Sequence, residues 1–179
     1  MTETNHSVLP ADFSDQLNRD LFLRELIKEL LSVLESTVGL RDSEGFISVV
    51  GTQIGDAVYN AYKHQLDQNP ESLDHLASLL VDFKNRIAGG FAVEAVTESQ
   101  IILVNSACPL GPQVRGRTSF CMMTSNVFGR IASEHIGYTS VELAETIARG
   151  DDRCRIILRF DPEKPVRTPV TREYYRMVS

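Results

Sequence analysis

Three cysteines, Cys108, Cys121 and Cys154, carry the most distinctive chemistry in the chain. Their number is odd, and thiols persist as thiols in a reducing cytosol, so a disulfide framework explains them poorly. Each falls where a loop meets a regular element. Cys108 opens the stretch Cys108-Pro109-Leu110-Gly111-Pro112, in which two prolines withhold backbone donors and enforce an ordered loop. Cys121 lies in the first turn of a predicted helix, Ser119 to Ile136, where unpaired N–H groups and the positive end of the helix dipole favour a thiolate. Cys154 starts a predicted strand after the turn Arg149-Gly150-Asp151-Asp152. Three distant thiols at such junctions can converge above a sheet edge, and thiolates are favoured ligands of zinc and of iron–sulfur clusters. With no Cys-x-x-Cys pair, the residues by themselves leave a shared metal site standing beside separate buried thiols, a reactive nucleophile or a redox sensor.

The elements that position these thiols follow from periodicity. Asp20 to Val38 places Leu23, Leu26, Ile27, Leu30, Val33 and Leu34 at three- and four-residue spacing, an amphipathic helix that Gly39 ends. Phe22 and Leu31 add apolar surface off that stripe, which points to a homodimer pairing through this N-terminal helix or to a flanking protein, with a single intramolecular contact as the alternative. A second helix, Glu44 to Gln65, carries Phe46, Ile47, Val50, Ile54, Val58 and Tyr62 on one side, with Ser43 as its cap. Gly51 and Gly55 inside it each cost about 1 kcal/mol relative to alanine, so they serve the close approach of another backbone or of a ligand. A third helix, Glu71 to Ile87, follows Asn69-Pro70 and turns Leu73, Leu76, Leu80, Phe83 and Ile87 inward.

Phe91 to Val96 and Gln100 to Asn105 then form a hairpin, the Ser119 to Ile136 helix follows, and Ser140 to Ile147 with Arg153 to Phe160 form a second hairpin. The expected fold is α+β: three N-terminal helices, then hairpin–helix–hairpin making a four-stranded, largely antiparallel sheet. Residues 1–19 read as a flexible leader, 20–160 as a single sensor or output domain, and 161–179, with Pro162, Pro165 and Pro169, as an extended C-terminal tail.

At 179 residues the chain can bury one substantial core. A formal charge of -6 speaks against a surface built to neutralise phosphates, so direct nucleic-acid binding is not expected. The polar start, residues 1–14, lacks a secretory signal, and Arg24, Glu25, Lys28, Glu29 and Glu35 interrupt the richest apolar stretch, so the expectation is a cytoplasmic protein with no membrane span. Phosphate-loop, dinucleotide-glycine, His-Glu-x-x-His and Gly-x-Ser-x-Gly templates are absent from the sequence. A Cys121–His135 pair on one helix would stand about 21 Å apart along its axis, out of contact. Catalytic machinery of its own is not expected.

The stretches Asn105-Ser106-Ala107-Cys108-Pro109-Leu110-Gly111, Cys121-Met122-Met123-Thr124-Ser125-Asn126-Val127-Phe128-Gly129, Glu145-Thr146-Ile147-Ala148-Arg149-Gly150-Asp151 and Cys154 resemble the methanogen output domain over nearly all of Asp20 to Phe160. That family occurs as freestanding proteins and as a terminal module of signalling proteins. The order Cys-Pro, Cys, Gly-Asp-x-x-Cys is more distantly similar to vinyl-reductase-type sensor domains and to the cluster-binding half of iron–sulfur-cluster repressors. The resemblance implies that the cysteines bind zinc or an iron–sulfur cluster and help to shape an apolar ligand pocket. Such relatives often place a further cysteine before the Gly-Asp turn, where this chain has Ala148.

Three thiolates leave a tetrahedral site one ligand short. Glu145 could supply an oxygen, His135 a nitrogen, or an exogenous molecule could fill an open position. Gly51, Gly55, Met122 and Phe128 are candidate pocket residues, with helix packing or core packing as the alternative, and Arg115 and Arg117 are candidate anion binders or counter-charges. The expected function is a signal-sensing or signal-output domain with a three-cysteine metal site beside a small-molecule pocket, acting with a sensor kinase or transcription regulator. The alternatives are an enzyme or carrier for a small hydrophobic ligand, and a metal-free protein-interaction module.

Overall fold

A computed structural model describes residues 18–111 and 114–177, so the expected leader falls almost wholly outside the described residues. The chain divides into two units, one ending at Ser43 and one running from Glu44 onwards. In the first, helix α1 (Arg19–Val38) begins at Asn18, whose side chain accepts the Leu21 N–H at 3.0 Å. Its end is set by Gly39 at φ 83°, whose N–H closes on the Glu35 carbonyl. Of the periodic stripe, Leu23, Leu26, Ile27, Leu30 and Val33 are exposed and Leu34 is half-buried, whereas Leu31 is buried. Helix α2 (Leu40–Leu66) starts earlier than the pattern suggests. Ser43 therefore sits inside it, and its hydroxyl donates to the Leu40 carbonyl at 2.7 Å instead of capping.

The second unit is built on a sheet. Strands β1 (Ala92–Val96) and β2 (Gln100–Asn105) form the expected hairpin, closed by the Thr97 N–H on the Gln100 carbonyl at 2.9 Å. Strands β3 (Tyr138–Glu145) and β4 (Cys154–Arg159) form the next pair. A fifth strand, β5 (Thr171–Tyr175), corrects the expected extended tail and four-stranded sheet. The order is β1-β2-β4-β3-β5, antiparallel at every pairing. The prolines before β5 mask it in the sequence, but none lies within the strand, so its backbone donors can pair with β3.

Register sets the core. Ile101, Leu158 and Val141 lie across from one another, as do Leu103, Ile156 and Leu143. All six are buried, each worth roughly 1.5–3 kcal/mol against exposure. The same parity carries Asn105 and its partner Cys154 to the end of this inner face. Helix α3 (Leu73–Arg86) packs on β1 and β2, and helix α4 (Ser119–Ile136) packs on β3 and β5.

Helix α2 meets α4 through its glycines. A Cβ at Gly51 would lie 2.6 Å from Asn126 Cβ, and one at Gly55 would lie 2.7 Å from Arg130 Cβ. The Asn126 amide donates to Ser48 Oγ at 3.2 Å, and Arg130 pairs with Asp56, fixing this close approach. Gly51 and Gly55 thus make a helix contact rather than a ligand wall. Because they face inward, Phe46, Val50 and Ile54 turn outward and are exposed, contrary to the expected face.

Candidate functional site

Chain positions far apart in sequence meet at one end of the sheet. Cys154 is the first residue of β4 and pairs with Asn105, the last residue of β2, so the loop leaving β2 brings Cys108 to the same end. That loop is tightened by the Gly111 N–H on the Cys108 carbonyl at 2.9 Å. Its continuation is tied to the next hairpin by the Gly116 N–H on the Ala148 carbonyl at 2.8 Å. Cys121 arrives from the first turn of α4. All three cysteines pack on one small apolar cluster formed by Val114, Ile147 and Ala148. None is in a disulfide.

The three line a single cavity of about 60 Å³, together with Lys84, Asn105 and Thr146 among others. This is room for a few water-sized groups. A second cavity of about 160 Å³ shares Cys121, Leu143 and Thr146 with the first and carries Arg149 and Arg172 on its wall.

The thiols are buried but not isolated. Burial pushes Cys121 up to about 12, Cys154 and Cys108 add to the rise, and the Thr146 hydroxyl opposes it. The expected thiolate at the helix N-terminus is therefore not the state of the metal-free chain. The Cys121 N–H is spent on the Thr118 carbonyl at 2.9 Å, and desolvation outweighs the dipole. Burial also raises Cys154, opposed by the Ile147 N–H that points at its Sγ from 3.5 Å. The turn supplying these groups is braced by the Thr146 N–H on Asp151 Oδ2 at 2.6 Å.

Lys84, in the last turn of α3, is only 5% exposed. Its ammonium donates to Thr124 Oγ1 at 2.9 Å and lies 5.1 Å from the Phe128 ring centroid and 5.5 Å from that of Phe91. Burial brings its pKa down to about 8, while the charges of Cys108, Cys154 and Cys121 act to raise it. Asn105 donates to the Gly89 and Ala107 carbonyls at 2.9 and 2.8 Å, and its buried Oδ1 has no partner among the described residues.

The donor set suits a soft cation: three sulfurs, a backbone N–H aimed at one of them, a hydroxyl acting on another and an ammonium within their field. Among the described residues no three His, Cys, Asp or Glu side chains stand together as a formed metal cage. The thiols share a cavity without closing on one point.

The other expected site residues are dispersed. Glu145, the expected oxygen ligand, is held by Arg153 through two hydrogen bonds of 2.7 and 3.0 Å and is not among the described residues that line the cavity. His135 lines a separate hollow with Pro70, Glu98 and Phe160. Arg115 is exposed, its Nη1 reaching the Gly150 carbonyl at 3.5 Å, and Arg117 lies on the same loop; neither borders the cysteine cavity. Met122 borders the second cavity. Phe128 is a fully buried core ring set edge-on to Phe91 at 5.7 Å, so its part in the site is to carry the Lys84 ammonium.

The sequence pattern alone passed over Lys84, Asn105, Thr124 and Thr146. A signal for Lys84 was present: it continues the buried Leu76, Leu80 series at four-residue spacing, so a cation occupies a core position of α3. Among the described residues, no helix is long and apolar enough to cross a membrane.

A family model described as methanogen output domain 1 matches residues 26–159, a span that contains all three cysteines and Lys84. No curated protein matches the chain.

Proposed function

Because the chain belongs to the methanogen output domain 1 family, which fits a regulatory or signalling role, we propose that it is a signal-sensing or signal-output domain whose Cys108, Cys121 and Cys154 hold zinc or an iron–sulfur cluster. The observation that carries this reading is the meeting of three widely separated thiols at one cavity, with a backbone N–H aimed at one sulfur and a buried ammonium on the same wall. When bound, the metal supplies a soft electrophilic centre with an open position; a small molecule or oxidant reaching it is the signal. The second cavity, bordered by Cys121, gives such a molecule room beside the centre.

The exposed stripe of α1 supports a homodimer, in which Leu23, Leu26, Ile27, Leu30 and Val33 pair with the same residues of a second copy. A change at the centre would then be read by a sensor kinase or transcription regulator in contact with the dimer.

The test is anaerobic metal analysis with an ultraviolet–visible spectrum. Either one zinc per chain, without visible absorption, or iron and sulfide with it is expected, and Cys108→Ser, Cys121→Ser and Cys154→Ser should each abolish it. A folded wild-type protein that takes up neither would refute the metal reading.

A further inference from the structure

We infer that Lys84 is the counter-charge of the cysteine centre, its buried ammonium offsetting the negative charge left when three thiolates ligate a divalent soft cation. The inference rests on the metal reading above and concerns what this chain contributes beyond its ligands.

A cation has no packing reason to be where Lys84 is. Leucine or methionine would continue the Leu76, Leu80 face of α3 without desolvating a charge. A buried ammonium that lacks an anion is strongly unfavourable, and one hydroxyl oxygen does not neutralise it. Its neutral neighbours are Thr124 Oγ1 at 2.9 Å and the rings of Phe128, Phe91 and Phe83. The ionisable groups that act on it are Cys108, Cys154 and Cys121, with which it shares the cavity. Asn105 Oδ1, on the wall of the same cavity, is buried and has no hydrogen-bond partner among the described residues.

Metal binding resolves the imbalance. Each thiol gives its proton to solvent as a metal–sulfur bond forms, and no electrons are transferred. Three thiolates and one dication leave a single negative charge, which one ammonium neutralises. Away from bulk water this pairing is stronger than in it, so the charge on Lys84 raises the affinity of the centre without itself being a ligand.

The experiment is an anaerobic zinc titration against a chromophoric chelator, on the full chain as wild type, K84M and K84Q, with melting curves of each metal-free protein. Wild type should bind one zinc per chain. K84M and K84Q should bind roughly tenfold more weakly or worse, and metal-free K84M should melt no lower than wild type. Wild-type affinity, to within about twofold, in either folded variant overturns the role of Lys84 and leaves the metal centre standing. Metal-free K84M and K84Q that both melt well below wild type also overturn it, since a counter-charge without its anion is dispensable. A wild-type chain that binds neither zinc nor a reconstituted cluster removes the metal reading, and the inference with it.

Discussion

Replacing Lys84 with methionine should stabilise the metal-free protein at neutral pH and stop doing so in mild alkali. The amine ordinarily titrates at 10.5 and does so at about 8 when folded, because burial disfavours its charge more than the cysteines restore it. The folded pKa is the lower one, so below pH 8 both states are protonated and the folded state carries the full cost of the buried cation. Between 8 and 10.5 the unfolded chain keeps a proton that the folded chain has lost, and wild-type stability rises with pH. The shift corresponds to about 3 kcal/mol. Methionine removes that cost but forfeits the hydrogen bond to Thr124, worth about 1 kcal/mol. The net gain for K84M is thus about 2 kcal/mol at pH 7, declining to nearly nothing by pH 9.5. Urea unfolding of both chains at pH 7 and 9.5, anaerobically and with chelator, measures the difference. A K84M chain less stable than wild type at pH 7, or an advantage that does not change with pH, refutes the placement of a charged ammonium among these thiols.

Three further outcomes test the rest of the structure. Gly55→Ala should destabilise by about 1–3 kcal/mol in urea unfolding, even though alanine is the better helix former, because its Cβ must displace Arg130. Gly129→Ala should cost at least as much, since its Cβ would stand 2.2 Å from the Tyr174 ring on β5, and Tyr174→Ala in the same chain should recover part of the loss. Leu30→Glu, at a position 62% exposed, should leave the melting temperature of the folded unit nearly unchanged while converting a dimer to a monomer in light scattering. A wild type that is already monomeric across micromolar concentrations would instead remove α1 as a self-pairing surface.

What could be read from the sequence was what local chemistry fixes. Helix α4 starts and ends at the expected residues, as does β2, since apolar periodicity and Gly137 mark one and β-branched residues the other. The cysteines were legible as a group because all three occupy element ends. The face of α2 was misread for a definite reason: hydropathy counts side chains, and its contact surface is made by residues that have none, Gly51 and Gly55. Lys84 was missed for the opposite reason, since a charged residue is left out of an apolar stripe even when the spacing includes it. Glu145 could not have been placed without its partner, because it is bonded to Arg153 across the turn between β3 and β4. β5 depends on pairing with β3, which no local pattern in a proline-bearing tail reveals.

With Glu145 bonded to Arg153 and His135 set in another hollow, the candidate ligands that line the cavity are the three sulfurs. Ala148, just before the Gly-Asp turn, lies in the apolar cluster on which those sulfurs pack. A fourth thiolate there would leave a divalent centre with two negative charges, more than one ammonium can balance. Alanine at 148 and lysine at 84 are therefore matched under the proposed reading: the missing thiolate opens a coordination position and also brings the charge of the centre to the value that Lys84 cancels. Ala148→Cys should then tighten zinc binding less than a fourth thiolate ordinarily would, because the added charge enters the cavity uncompensated.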